Sequence, residues 1–97
     1  MAKYELKFDA DALKEWEKLD GSIKKEFKSA LVKRLDNPIV EKARLRGELN
    51  QCFKIKSMKT GYRLIYTVEK NVLIVTVIAI GKRADLAAYL SAIKRLD

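Results

Sequence analysis

Residues 52–66 read CFKIKSMKTGYRLIY, and three cations, Lys54, Lys56 and Arg63, sit inside its two strand-like runs. Strand interiors exclude such residues unless one face of the sheet is wet. Further along, GKR brings Lys82 and Arg83 to the end of another strand-like run, and Tyr89 follows six residues after Arg83. Cations gathered without carboxylates suit a phosphate: arginine forks onto its oxygens and lysine adds a point charge. The chain contains no histidine, which removes Ser–His and Cys–His nucleophile pairs and most zinc sites. It has no Cys-x-x-Cys, P-loop or Gly-x-Gly-x-x-Gly motif, so neither a metal nor a nucleotide cofactor is expected. Cys52 is expected as a small buried strand residue rather than a nucleophile, and Trp16 as core rather than a base-stacking platform.

A histidine-free, metal-free ribonuclease is chemically possible with these groups, because RNA carries its own nucleophile in the 2′-hydroxyl. Cleavage needs a base or dipole to activate that hydroxyl, positive charge to stabilise the five-coordinate phosphorane, and neutralisation of the departing 5′-oxygen. A lysine crowded by other cations has a lowered pKa and can act as the base. Arginine stays charged and holds phosphate oxygens, and tyrosine can stack on a nucleobase.

The elements that must position these groups can be read from periodicity. KYELKF alternates, with Tyr4, Leu6 and Phe8 on one face, and predicts a first strand. Leu13, Trp16 and Leu19 then follow helical spacing, with Asp9 or Asp11 as N-cap. Ile23, Phe27, Ala30, Leu31 and Leu35 predict a second amphipathic helix that stops near DNP, so the two helices form an αα-hairpin. Residues 39–51 show no period and read as a connector. Strands are predicted at about 52–58, 62–69 and 72–80, joined by short turns at KTG and EKN as an antiparallel meander. Leu86, Tyr89, Leu90, Ile93 and Leu96 predict a final helical stripe, with Asp85 as N-cap. The order β-α-α-β-β-β-α is an α+β domain with an N-terminal helical hairpin and a C-terminal helix, the helices expected on one face of the sheet.

Side chains alternate along a strand. Phe53 and Ile55 therefore share a face with Tyr62, Leu64, Tyr66 and Val68, expected against the helices. Lys54, Lys56 and Arg63 fall on the opposite face, about 4.8 Å apart across strands and roughly 6.5–7 Å apart along one. Lysines that protect an edge strand from aggregation would account for Lys54 and Lys56. They would not account for Arg63 on the next strand inward, nor for Arg83 at the end of a third. Like charges brought together repel, so stability alone does not gather them.

The 97 residues are read as a single domain, 1–97, with one modest core. The net charge is +8, from 21 basic and 13 acidic residues, and it is lopsided: residues 1–45 carry +2 and residues 46–97 carry +6. A one-sided positive domain favours a polyanion such as nucleic acid or an acidic protein over a membrane. No apolar run reaches the length of a membrane span, no signal-peptide core is visible, and the single Cys52 cannot form an internal disulfide, so a cytoplasmic location is expected.

In combination, LKEWEKL, RLRG at 44–47, CFKIKSMKTGYRLIY, VIAIGKR and YLSAIKRL resemble the RelE family of bacterial toxins over nearly the whole chain. The resemblance implies a small basic endoribonuclease that cleaves messenger RNA in the ribosomal A site and so inhibits translation. It implies that the catalytic set is Lys54, Lys56, Arg63, Arg83 and Tyr89, with Arg46 and Lys82 contacting RNA. In this reading Lys54 or Lys56 takes the 2′-hydroxyl proton, and Arg63 and the other lysine stabilise the phosphorane. Arg83 neutralises or protonates the leaving group, and Tyr89 stacks on and orients the base at the cut. The implied partners are a RelB-like antitoxin that covers or displaces the final helix, the 70S ribosome with A-site mRNA, and operator DNA reached through the antitoxin. Two other readings stay open: a ParE-type toxin of similar fold that poisons DNA gyrase by binding, and an RNA-binding module without catalysis.

Overall fold

The computed structural model describes residues 3–82 and 86–96. Strand β1, Glu5–Phe8, leads into helices α1, Ala10–Glu17, and α2, Gly21–Asp36. Two 3-10 turns, Glu41–Ala43 and Gly47–Leu49, carry the chain to strands β2, Cys52–Lys56, β3, Tyr62–Glu69, and β4, Ile74–Lys82. Helix α3, Ala87–Leu96, ends the described chain. The sheet order is β1-β4-β3-β2: the last three strands are an antiparallel meander and β1 adds parallel to β4. Among the described residues no helix is long and apolar enough to cross a membrane.

Local chemistry sets the ends of the elements. Asp9 caps α1, its carboxylate accepting from the Asp11 and Ala12 amides at 3.0 and 3.2 Å. Asn37 ends α2 in an extended conformation because Pro38 follows it. Strand β2 stops two residues before the expected 58, since Ser57 and Met58 turn away to bind the Glu26 carboxylate. Strand β4 runs from 74 to 82 rather than 72 to 80, because Leu73 takes a left-handed φ of 56° that closes the preceding turn.

The helices do not share one face, contrary to expectation. Helices α1 and α2 cover one side of the sheet, where Ala12, Ile23, Phe27 and Leu31 pack on Phe53, Ile55, Leu64, Tyr66, Val75 and Val77. Burying Phe27 or Leu31 contributes about 1.5–3 kcal/mol each. Helix α3 lies on the other side, where Ala88 and Ala92 pack on Cys52, Ile65 and Ala79. The expected stripe on α3 is therefore only partly the buried one. Ala88 and Ala92 are at most 1% exposed, whereas Leu90 is 62% exposed. Small residues win because the helix comes so close to the sheet: a Cβ at Gly81 would lie 2.9 Å from the Ala88 amide nitrogen.

Candidate functional site

Two strands and one helix build the candidate site. In the β2–β3 pairing Lys56 lies opposite Arg63 and Lys54 opposite Ile65, so all three cations fall on the face that α3 partly covers. Ile65, opposite Lys54, is fully buried in the apolar cluster beneath α3. Lys54, Lys56, Arg63, Leu86 and Tyr89 line one open pocket of about 340 Å³. None of the five carries a carboxylate.

Arg63 is the unusual member. It is only 6% exposed, yet among the described residues its guanidinium has no hydrogen-bond or ion-pair partner. No fully enclosed side-chain nitrogen or oxygen among those residues lacks a partner, so the guanidinium must open into the pocket. A buried cation without a counter-ion is costly. An anion entering the pocket relieves that cost, and a phosphate matches the arginine fork. Lys56, directly across the strand pair, raises the positive potential further.

Helix α3 supplies the remaining wall. Leu86 adopts a left-handed φ of 53° just before the helix, and Tyr89, in its first turn, is half-buried against Ile65's cluster while still lining the pocket. The helix is held by its far end. Arg95 donates to both Glu15 oxygens, at 2.9 and 3.0 Å, and to the Ile78 carbonyl at 2.7 Å; the Ile80 amide donates to Glu15 at 3.1 Å. Sequence reasoning missed this clamp, because Glu15 and Arg95 are 80 residues apart and each looks like a solvated helix charge. Leu86 was assigned to a core stripe, and its pocket position was also missed.

The other expected site residues fall elsewhere. Lys82 pairs with Tyr62, so it faces the α1–α2 side, where its ammonium sits 5.8 Å over the Tyr62 ring. It reaches the rim of the sheet, as expected, but points away from the cation pocket. Arg46 is exposed at the start of the second 3-10 turn and does not line the pocket. Arg83, together with the expected cap Asp85, lies outside the described residues. Cys52 is fully buried, and burial pushes its thiol up to about 11, which rules out an activated thiolate. Trp16 packs on Phe8 with ring centroids 5.4 Å apart, as core. A larger groove of about 570 Å³ lies between β1 and α2, but its lining is mostly apolar and its polar groups are lysines on the rim.

The pocket can thus bind a phosphodiester and stabilise negative charge on it. Of its lining side chains, the two lysines and Tyr89 can move a proton, and Arg63 can only hold charge.

The model of the ParE toxin of the type II toxin–antitoxin system parDE matches residues 6–87. A RelE-like toxin protein of Escherichia coli is 45% identical over 94 residues, covering 97% of this chain and 98% of its own. The mRNA interferase toxin RelE of Escherichia coli K12 is 43% identical over 93 residues, 96% of this chain and 97% of its own. A double-arginine variant of E. coli RelE in the free state superposes with a TM-score of 0.89 at 41% identity, covering all of both chains. The toxin of the intact E. coli RelBE toxin–antitoxin complex superposes with a TM-score of 0.78 at 44% identity, over 81% of this chain and 95% of its own.

Proposed function

The chain belongs to the RelE/ParE family of type II toxin–antitoxin toxins, and from that premise we propose that it is an mRNA interferase, an endoribonuclease that cuts messages in the ribosomal A site and stops translation. The observation that carries this reading is Arg63: a buried guanidinium with no partner among the described residues, sharing a pocket with Lys54, Lys56 and Tyr89.

The reaction follows from the groups present. Lys54 or Lys56 accepts the 2′-hydroxyl proton, and the 2′-oxygen attacks the adjacent phosphorus. Arg63 and the other lysine hold the phosphorane oxygens, where fixed charge in a partly dry site counts most. The P–O5′ bond then breaks, leaving a 2′,3′-cyclic phosphate on one fragment. Arg83 offsets the charge that develops on the 5′-oxygen, which takes up the proton that the lysine accepted from the 2′-hydroxyl and departs as a hydroxyl. Tyr89 stacks on the base at the cut and holds the sugar in line for attack. Arg46 and Lys82, both outside the pocket, are assigned to RNA or ribosome contacts away from the cut.

The RelBE complex is of a similar toxin with its antitoxin, which supports a RelB-like antitoxin as partner here. Binding to the 70S ribosome, to operator DNA through that antitoxin, and action in the cytoplasm complete the proposal. The match to a ParE model favours a second reading, poisoning of DNA gyrase by binding, which has no need of the cation pocket. Adding the protein to a translating extract and mapping 5′ ends on the message separates them. A-site cuts support the interferase, and DNA damage without RNA cuts supports the gyrase reading.

A further inference from the structure

A second groove begins where the cation pocket ends. It holds about 460 Å³ and crosses the edge of β2, and its lining includes Arg34, Val40, Lys42, Lys54, Lys56 and Met58. Lys54 and Lys56 line both cavities and form the ridge between them. The groove's four cations come from three separate elements: α2, the first 3-10 turn and β2. No lining residue is acidic, and the nearby Glu26 carboxylate is already engaged by Ser57 Oγ and the Met58 amide, both at 2.7 Å.

Arg34 is held in one orientation there. Its Nη1 donates to the Tyr66 hydroxyl at 2.7 Å and to the Lys54 carbonyl at 3.4 Å, and the Tyr66 hydroxyl in turn donates to the Pro38 carbonyl at 2.7 Å. Both bonds use Nη1, so the Nε and Nη2 donors stay available to an anion. Lys42 is exposed and takes part in no hydrogen bond or ion pair among the described residues. Between these cations the groove is apolar, with half-buried Val40 and Met58, which is 87% exposed. Lysines guarding an edge strand explain Lys54 and Lys56, but not an oriented arginine on α2 and a lysine on the connector.

We propose that this groove binds the single-stranded RNA flanking the scissile phosphate, with Arg34 and Lys42 on a backbone phosphate and Val40 and Met58 under a nucleobase. A cationic track with an apolar floor is how single strands are held without sequence preference. The shared lysine ridge makes the groove continuous with the cleavage pocket, so the strand leaves the pocket over β2. This rests on the ribonuclease reading.

The test uses the full chain and 2′-O-methyl oligoribonucleotides, which lack the attacking hydroxyl, as a trimer and a nonamer. Affinity is measured against salt for the wild type and for Lys42→Ala and Lys42→Glu, exposed-site variants whose fold is checked by circular dichroism. The wild type should bind the nonamer more tightly than the trimer. Lys42→Ala should weaken the nonamer several-fold and reduce the log–log salt slope by about 0.7, one phosphate contact on a single strand. Lys42→Glu should weaken it further, and neither change should affect the trimer. Equal nonamer affinity in wild type and Lys42→Ala, or a nonamer that binds no better than the trimer, overturns the proposal. Message cleavage by the wild type in a translating extract is scored alongside. Its absence strikes the ribonuclease reading, whereas cleavage with Lys42-independent binding strikes only the groove.

Discussion

Lys56 and Arg63 stand directly opposite one another across the β2–β3 pair, two cations where a sheet gains from opposite charge. The fold tolerates this repulsion at the mouth of an open pocket. Such a local conflict is what a binding site for an anion looks like before the anion arrives.

Relieving that conflict should separate stability from activity. Arg63→Met removes the buried cation and keeps an apolar stem on Ile65's side of the sheet. It should stabilise the protein by about 0.5–1 kcal/mol in urea denaturation, while lowering single-turnover message cleavage at least a hundredfold. A variant both less stable and fully active would contradict the role given to Arg63.

The Glu15–Arg95 clamp should govern α3. Beyond the end of β1, these two side chains satisfy the Ile78 carbonyl and the Ile80 amide, and they tie the last turn of α3 to α1 and β4. Arg95→Ala should cost about 2 kcal/mol and speed amide exchange across residues 87–96 more than in β3. Arg95→Lys should restore part of both. Uniform acceleration across the whole sheet would show that the clamp is not local to α3.

Gly81 should set how closely α3 docks. An alanine there would bring its Cβ to 2.9 Å from the Ala88 nitrogen and 3.1 Å from the Ala87 Cβ. Gly81→Ala should therefore lift the first turn of α3, shift Tyr89 in the pocket and lower cleavage tenfold or more, at a stability cost of about 1–3 kcal/mol. Unchanged cleavage would mean that the position of Tyr89 does not matter.

Acid should loosen the β2–β3 turn through Glu26. The Ser57 hydroxyl first, then the Met58 amide, hold its carboxyl below the ordinary 4.5. A carboxylate whose folded pKa lies below its unfolded value stabilises fully above the unfolded value, and that stabilisation is lost as pH falls through the folded one. The melting temperature of the wild type should thus fall faster below about pH 4.5 than that of Glu26→Gln, with the curves parallel near neutrality. Parallel curves throughout would remove Glu26 from the account.

The cation face was legible because strand alternation is strict. With the aromatic and aliphatic residues of β2 and β3 set against the same helices, Lys54, Lys56 and Arg63 share the opposite side, and the missing histidines left them the proton and charge chemistry. The side taken by α3 was not legible. Leu86, Leu90 and Leu96 drew an apolar stripe, while the true contact is made by Ala88 and Ala92, whose value comes from being small beside Gly81. The face taken by Lys82 was not legible either: an irregularity in the β3–β4 ladder between Ile65 and Tyr66 precedes its pairing with Tyr62, and one step in register flips a side chain to the other face. The clamp between Glu15 and Arg95 was invisible because nothing local in the chain joins them.

The central claim is that this pocket cuts RNA on the ribosome. The most direct measurement is single-turnover cleavage of message on programmed ribosomes, with 5′ ends mapped, by the wild type and by Arg63→Ala and Arg83→Ala. The account predicts cuts confined to the A-site codon for the wild type and rates lowered by about 10²-fold or more for both variants. Cleavage at wild-type rate by both variants, or no A-site cuts by the wild type, would contradict it.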